Sequence, residues 1–550
     1  MKRNLLLYLG ILALLVIAIG AYFWVSGMMG SMFAYRSPLA ENPPAPGEAL
    51  GAPITRKVVY VMIDALRLDT SLEPEVMPFL NELRQQAAFA TMHSLPPSFS
   101  NPGWTALMTG AWPDLNDSDP LNPSTVARTF TQDDIFAAAQ RAGLSTAVSG
   151  YDWLKQMLAN SGVVDGFYVG SGYSPDVDRQ AVDAALRMLE NDHQLIFIDI
   201  DQVDYAGHHQ GGPRDPRWNA AATGADGLLR EIVSKLNLEQ DTVIVVADHG
   251  QIDRGGHGGQ DPVTLIEPFV MAGAGVKTGA YPDIQMVDAA PTIAALLGTS
   301  LPASSQGHVL TGMLNLSEEQ RASIYDATAS QQQNLYNNYV MAIGGSPTKV
   351  LVGQGADVVD TYQQAMSQAR AARLLRERIW RGLLALLLAA IPAVLLFLKR
   401  NRQIAWLLGS ALLYALLFNL RYAVLDGRTY SLSSLDSEAD IIIFCSTTAA
   451  IALLIAWLVA MFGSKSFRLG ARHAAETGMA VILTTIYILS LPLLLSYTLN
   501  GAVVNWTLPD ASGMLIMFLG FISLIQGLMV AVIGLLLVGV SALVGRFARL

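Results

Sequence analysis

The sequence is short of charge and of cysteine. Charged residues make up 15% of its 550 positions, where a soluble globular chain carries about 25%. Hydrophobic residues make up 52%, and the mean hydropathy is +0.36. That balance excludes a disordered or fibrous chain and argues against a wholly soluble one. The single cysteine, Cys445, excludes an intramolecular disulfide and a thiolate-rich metal site. Basic residues are outnumbered 35 to 45, for a net charge of -10. The basic excess of a nucleic-acid binder is missing, so no nucleic-acid partner is expected.

Long apolar runs are what the chain has instead. Residues 5–25 follow Lys2 and Arg3 as one such run, and about 20 apolar residues cross a bilayer. The run is long for a signal-peptide core, so residues 1–25 are expected to be an uncleaved membrane anchor. Residues 26–55, rich in Pro, Gly and Ala, read as a linker. Residues 56–345 have ordinary soluble composition. Residues 346–381 connect onward, with Arg370, Arg373, Arg376 and Arg381 at helical spacing. Either anionic headgroups or water suits that face.

From 382 to 550 come five more apolar segments, near 382–398, 404–425, 439–462, 477–499 and 512–543. A five-helix transmembrane domain is expected there, making six crossings with the anchor. A cytoplasmic N-terminus puts Lys2, Arg3, Lys399, Arg400, Arg402, Lys465, Arg468, Arg472, Arg546 and Arg549 inside, as the positive-inside rule favours. The 370–381 arginines run against it. The reading is a multi-pass cell-membrane protein with its soluble domain extracytoplasmic, in contact with membrane lipids.

The soluble stretch alternates strands and helices. KVVYVMI (57–63), LIFIDI (195–200) and TVIVVA (242–247) are near-continuous apolar runs, as buried parallel strands require. Helices are expected over 74–88, 178–191 and 288–298. The fold class is therefore α/β, a sandwich around a mostly parallel central sheet. Ligands of such sheets gather beyond the carboxyl ends of the strands, where Asp64 and Asp248 fall.

Histidine is scarce, at eight residues, yet three histidines fall beside acidic residues in short Gly-rich windows. These are Asp204 with His208, Asp248 with His249, and His257. Carboxylate and neutral imidazole are the ligands Zn²⁺ takes when thiolate is missing. Each residue alone suits a cap or a solvated loop; together they read as a metal centre. A nucleophile can come from LPPSFSNPGWTALMTG (95–110), where Ser98, Ser100 and Thr105 are all candidates and helix capping competes with catalysis. Asn101 and Asn122 can donate to a phosphoryl oxygen, though turn roles suit both better. Arg67 suits a structural ion pair. Asp199 and Asp201 share one strand face and fit a supporting role.

As a set, these residues resemble the alkaline phosphatase superfamily. The nearer likeness is to its type I phosphodiesterase/nucleotide pyrophosphatase branch and to GPI ethanolamine phosphate transferase-like membrane proteins. The motifs are Asp64-Ala65-Leu66-Arg67-Leu68-Asp69, Ser100 two residues before Pro102, Asp204-x-x-x-His208, Asp248-His249-Gly250 and Gly256-His257-Gly258. Ala65 stands where the pattern has Gly, and Trp104 where many members have His. The resemblance implies an alkaline-phosphatase-like fold and two divalent metal ions, with Zn²⁺ the first choice. One would be held by Asp64, Ser100, Asp248 and His249, the other by Asp204, His208 and His257. Ser100 is then the catalytic nucleophile. Hydrolysis of phosphate esters or phospholipids at the outer membrane surface is the first functional expectation. Transfer of a phosphoethanolamine or similar head group from a lipid donor is the second.

Overall fold

A computed structural model describes all residues except 1–4, 123–125, 171–175, 354–356, 399–401, 436 and 549–550. Lys2, Arg3, Lys399, Arg400 and Arg549 thus lie outside the described residues. The chain forms two compact units. One comprises 1–32, 374–504 and 511–550; the other comprises 33–373 and 505–510.

The second unit is built on a nine-stranded sheet. Its strands are β1 (Lys57–Ile63), β2 (Ala88–His93), β3 (Thr146–Tyr151), β4 (Asp165–Val169), β5 (Leu195–Ile200), β6 (Asp241–Val246), β7 (Ile266–Gly273), β8 (Gly279–Ala280) and β9 (Ile284–Gln285). The order is β4-β3-β5-β1-β6-β7-β2-β8, with β9 also paired to β2. From β4 to β6 all pairs are parallel. β7 runs antiparallel to β6 and to β2. The expected α/β fold with a mostly parallel sheet is present.

Every residue of β1 is buried. Alternation sends Val58, Tyr60 and Met62 into one apolar cluster and Val59, Val61 and Ile63 into another. Both faces of the sheet are therefore covered by helices, which is why the strand reads as one unbroken apolar run. The carboxyl ends of β5, β1 and β6 lie side by side at the centre of the sheet.

Several expected boundaries move, the helix over 178–191 to Asp176–Leu189 and the strand over 242–247 to Asp241–Val246 among them. The helix expected over 74–88 is the shorter Pro78–Arg84, because Ala88 already opens β2. The helix expected over 288–298 is Ala289–Leu297, closed by Gly298 at φ 71, a left-handed value that suits glycine.

The first unit is helical. Helices long and apolar enough to cross a membrane are Leu7–Phe33, Gln403–Leu425, Ala439–Gly463, Ala471–Asn500 and Ala511–Phe547. Among the described residues the C-terminal region thus has four such helices, not the expected five. The segment 382–398 is the end of a helix spanning Val358–Leu398. Its apolar part is about 17 residues, at the lower limit for crossing the hydrocarbon layer. It packs alongside its neighbours, with Tyr487 Oη donating to the Ala389 carbonyl at 3.1 Å. Further polar links join the helices. Tyr414 Oη donates to Gln526 Oε1 at 3.0 Å, and Trp457 Nε1 to Ser541 Oγ at 3.1 Å. Such bonds help hold helices together where water offers no competing partner. The protein is a multi-pass membrane protein.

Of the four arginines expected to face headgroups or water, Arg370, Arg373 and Arg381 find protein partners, Arg381 through Glu377 at 2.7 Å, while Arg376 is exposed. Arg370 bonds Asp114 at 2.8 Å, and Arg373 stacks over the Trp506 ring at 4.1 Å.

Candidate active site and metal clusters

Three strand ends deliver the acidic residues. Asp64 follows β1, Asp248 follows β6, and Asp204 sits in the short helix Gln202–Gln210 after β5. His208 is one helical turn beyond Asp204, so both side chains share a face. His249 and His257 come from the loop after β6.

The histidines are oriented from behind. His257 Nδ1 lies 2.9 Å from the Ser98 carbonyl, and His249 Nδ1 lies 3.1 Å from that of Gly250. A carbonyl accepts only, so each Nδ1 carries the proton and each Nε2 presents a lone pair. His257 Nε2 and His208 Nε2 come within 2.8 Å of each other. Asp204 Oδ1 is 3.4 Å from the first and 3.5 Å from the second. His249 Nε2 is 3.5 Å from Asp64 Oδ1 and 3.4 Å from Asp248 Oδ2.

Two sets of ligand atoms therefore converge, Asp204 with His208 and His257, and Asp64 with Asp204 and His249. Asp204 belongs to both, whereas the resemblance places it in one. Asp248 lies beside the second set through its Oδ2 contact to His249.

The donors fit divalent cations. Asp64 Oδ1 and Asp248 Oδ2 are buried without a hydrogen-bond partner. Orphaned buried carboxylate oxygens are costly unless a cation or proton meets them. Burial, then the neighbouring Asp248, pushes the Asp64 carboxyl well above its ordinary range. Burial also raises Asp248. Burial acts the same way on Asp204, but the imidazoles of His208, His257 and His249 outweigh it and hold that carboxyl low. Burial pushes His257 well down, in keeping with a neutral ring. Asp204 and His257 thus stand in their metal-binding forms, whereas Asp64 and Asp248 would give up protons to a bound cation.

The three candidate hydroxyls separate. Ser98 Oγ is spent on the Gly259 carbonyl at 2.9 Å and the Gly258 N–H at 3.0 Å. Thr105 Oγ1 donates to the Asn101 carbonyl one turn back, at 2.7 Å. Ser100 opens the helix Ser100–Thr109 and is buried. Its Oγ lies 3.3 Å from His249 Nε2, against the clusters.

Asn122 does more than the turn role expected of it. Its Oδ1 accepts the Asn101 N–H at 3.0 Å, which aims Nδ2 at Ser100 Oγ, 3.4 Å away. Asn101 is occupied elsewhere, its Oδ1 accepting the Asp119 N–H at 3.1 Å. Arg67 makes the expected structural pairs, to Asp69 and to Asp253 at 2.8 Å. Asp199 supports the edge of the site, accepting the Tyr151 N–H at 3.1 Å.

Two contacts are not legible in the sequence, although Trp104 itself stands out there as a departure from the family pattern. Gln251 is fully buried, and its Nε2 donates to Asp204 Oδ1 at 2.6 Å. Trp104 Nε1 donates to Asp64 Oδ2 at 3.1 Å. Neither has a motif that announces it, because each contact joins distant parts of the chain.

Gly207 leaves the space Gln251 uses. A Cβ at Gly207 would sit 1.4 Å from Gln251 Oε1. Gly207→Ala is therefore expected to displace the amide and cost about 1–3 kcal/mol in stability, read by denaturant unfolding. Ala65, where the family pattern has glycine, stands at φ 62 while its N–H donates to Asp248 Oδ1 at 3.1 Å. A side chain there costs about 1–2 kcal/mol. Ala65→Gly is expected to raise stability by up to about 1 kcal/mol, strain relief outweighing the added chain entropy. An unchanged unfolding midpoint would contradict this.

Residues 58–319 match the family model for type I phosphodiesterase / nucleotide pyrophosphatase. That stretch is similar to this family. The chain is also similar to GPI ethanolamine phosphate transferase 2 of Aspergillus fumigatus, at 25% identity over 463 residues, covering 77% of this chain and 58% of that protein. It is similar also to the human GPI ethanolamine phosphate transferase 2 catalytic subunit, at 27% identity over 299 residues, covering 49% and 30%. The chain thus spans well under two thirds of these relatives. Among solved structures it resembles human ectonucleotide pyrophosphatase / phosphodiesterase 5, at 14% identity with a TM-score of 0.38, covering 47% of this chain and 100% of that one.

Proposed function

We propose that this protein is a membrane-anchored, metal-dependent phosphotransferase. It moves a phosphoethanolamine-type head group from a phospholipid donor to a hydroxyl acceptor, with Ser100 as nucleophile. The sequence reading put hydrolysis first; the transferase names of the curated relatives favour transfer. The observation that carries the reading is the convergence of Asp64, Asp248, His249, Asp204, His208 and His257 beside Ser100 Oγ.

Asp64, Asp248 and His249 would hold one divalent cation beside Ser100, and Asp204, His208 and His257 the other, with Asp204 in reach of both. Zn²⁺ suits this oxygen and nitrogen donor set. When bound, the two cations supply charge stabilisation on both sides of a reacting phosphorus.

The chain's own groups do the rest. Ser100 Oγ forms a bond to phosphorus as the bond from phosphorus to the diacylglycerol oxygen breaks. The serine proton leaves with the diacylglycerol, which departs as an alcohol. An acceptor hydroxyl then attacks the same phosphorus, the bond to Ser100 Oγ breaks, and the acceptor's proton restores the serine. Asn122 Nδ2, aimed at this oxygen, donates to a phosphoryl oxygen. Burial of Ser100 limits the entry of water, which favours an alcohol acceptor over hydrolysis. The N-terminal span carries the domain to the extracytoplasmic face.

The test uses the purified full chain in vesicles containing phosphatidylethanolamine labelled in its head group, with glycolipid acceptors. Label on the acceptor supports transfer. Free phosphorylated head group makes the protein a hydrolase instead. Label left wholly on the donor overturns both.

A further inference from the structure

Ser100 and Trp104 stand one turn apart on the same helix, so one element delivers both to the site. The Trp104 ring is buried, with 1% exposure. Tyr151 meets it edge-on at 6.2 Å between centroids, and Trp153 lies 6.1 Å away. Tyr151 and Trp153 in turn pack edge-to-face at 5.1 Å. Three rings that lock one another leave the indole little freedom to turn. Its single polar atom, Nε1, reaches Asp64 Oδ2 at 3.1 Å.

That bond divides the labour of the carboxylate. Oδ2 is taken by the indole N–H, while Oδ1 is buried, unpartnered and 3.5 Å from His249 Nε2. We propose that Trp104 is a positioning residue that fixes Asp64 as a one-oxygen metal ligand, presenting Oδ1 to the cluster it shares with His249. The assignment rests on the two-metal reading above.

An indole suits the task. It donates and cannot accept, so it keeps one carboxylate oxygen engaged and leaves the other for the metal. It does not titrate, so the clamp holds across the working pH range. A hydrogen bond to an ionised ligand from a neutral donor also fixes orientation without adding a competing charge. The glycine one residue earlier matches this closeness: a Cβ at Gly103 would sit 2.8 Å from the Asp248 carbonyl oxygen. The helix is therefore pressed against the strand ends that carry both carboxylates.

The experiment compares the wild-type full chain, Trp104→Phe and Trp104→His, each stripped of metal and titrated with Zn²⁺ against a chromogenic chelator. Thermal melts of the metal-free forms run alongside. Trp104→Phe keeps a packed ring and loses the N–H. It is expected to weaken one of two Zn²⁺ sites by about 10–100-fold and leave the other unchanged. Trp104→His returns an N–H donor and is expected to recover at least part of the loss. If the metal-free melt of Trp104→Phe falls, the affinity of the refolded, monodisperse fraction and the His rescue still decide the matter. Equal affinity at both sites in wild type and Trp104→Phe overturns the clamp and leaves the two-metal reading standing. A wild-type chain that binds no Zn²⁺ overturns both.

Discussion

Ser100→Ala is expected to reduce turnover by on the order of 10⁴-fold or more while both metals stay bound. The size follows from the role. A nucleophile that forms a covalent intermediate cannot be replaced by a methyl group, and what survives is the background from binding and charge stabilisation. The retained metal follows from the geometry. The converging ligand atoms belong to Asp64, Asp204, His208, His249 and His257, and the serine oxygen adds one contact to a set already formed. Steady-state rates on a labelled donor, together with metal content by mass spectrometry, check both halves. Turnover within tenfold of wild type would remove Ser100 from the mechanism.

The second large effect separates the two clusters. His257→Ala removes a ligand whose Nε2 lies 2.8 Å from that of His208. It is expected to weaken one metal by on the order of 100-fold or more and leave the other nearly intact. Asp204→Asn should behave differently. Asp204 belongs to both convergent sets, so its neutralisation is expected to weaken both metals. Turnover falls with metal in each variant, and excess Zn²⁺ restores part of it in His257→Ala. Metal titration distinguishes the patterns. If Asp204→Asn loses one metal and keeps the other at full affinity, the shared role of Asp204 is wrong.

Much of this site is legible in the chain because its residues sit at predictable places. β1 and β5 match their expected spans, since both are buried over their whole length and so read as unbroken apolar runs. That alone puts Asp64 at a strand end. The Asp and His residues in Gly-rich windows then stand out as a set.

The remainder was hidden for physical reasons. β2, with sequence AFATMH, alternates between buried and half-buried positions, and its Ala-rich start reads equally as the end of a helix. β3 and β4 contain Gly150 and Gly166, residues disfavoured in strands. The 382–398 segment counts as a span on hydropathy alone; it is the apolar end of the helix begun at Val358.

Side-chain roles that depend on distance were the hardest to foresee. Trp104 stands out in the sequence only as a departure from the family pattern, and its bond to Asp64 joins residues 40 positions apart. Gln251 drew no notice, since an amide beside Asp248 and His249 says nothing of Asp204 on another strand end. Ser100 could be told from Ser98 and Thr105 by residue pattern only through the family likeness. In the fold the three differ by their partners, two bound to backbone carbonyls and one facing His249.

Anomalous diffraction at the zinc edge from crystals of the wild-type chain grown with Zn²⁺ addresses the metal assignment without recourse to substrate or acceptor. Two peaks are predicted in the domain, one in contact with Asp64 and His249 beside Ser100, the other in contact with His208 and His257. Density for Zn²⁺ elsewhere on the chain, with none among these residues, would contradict it.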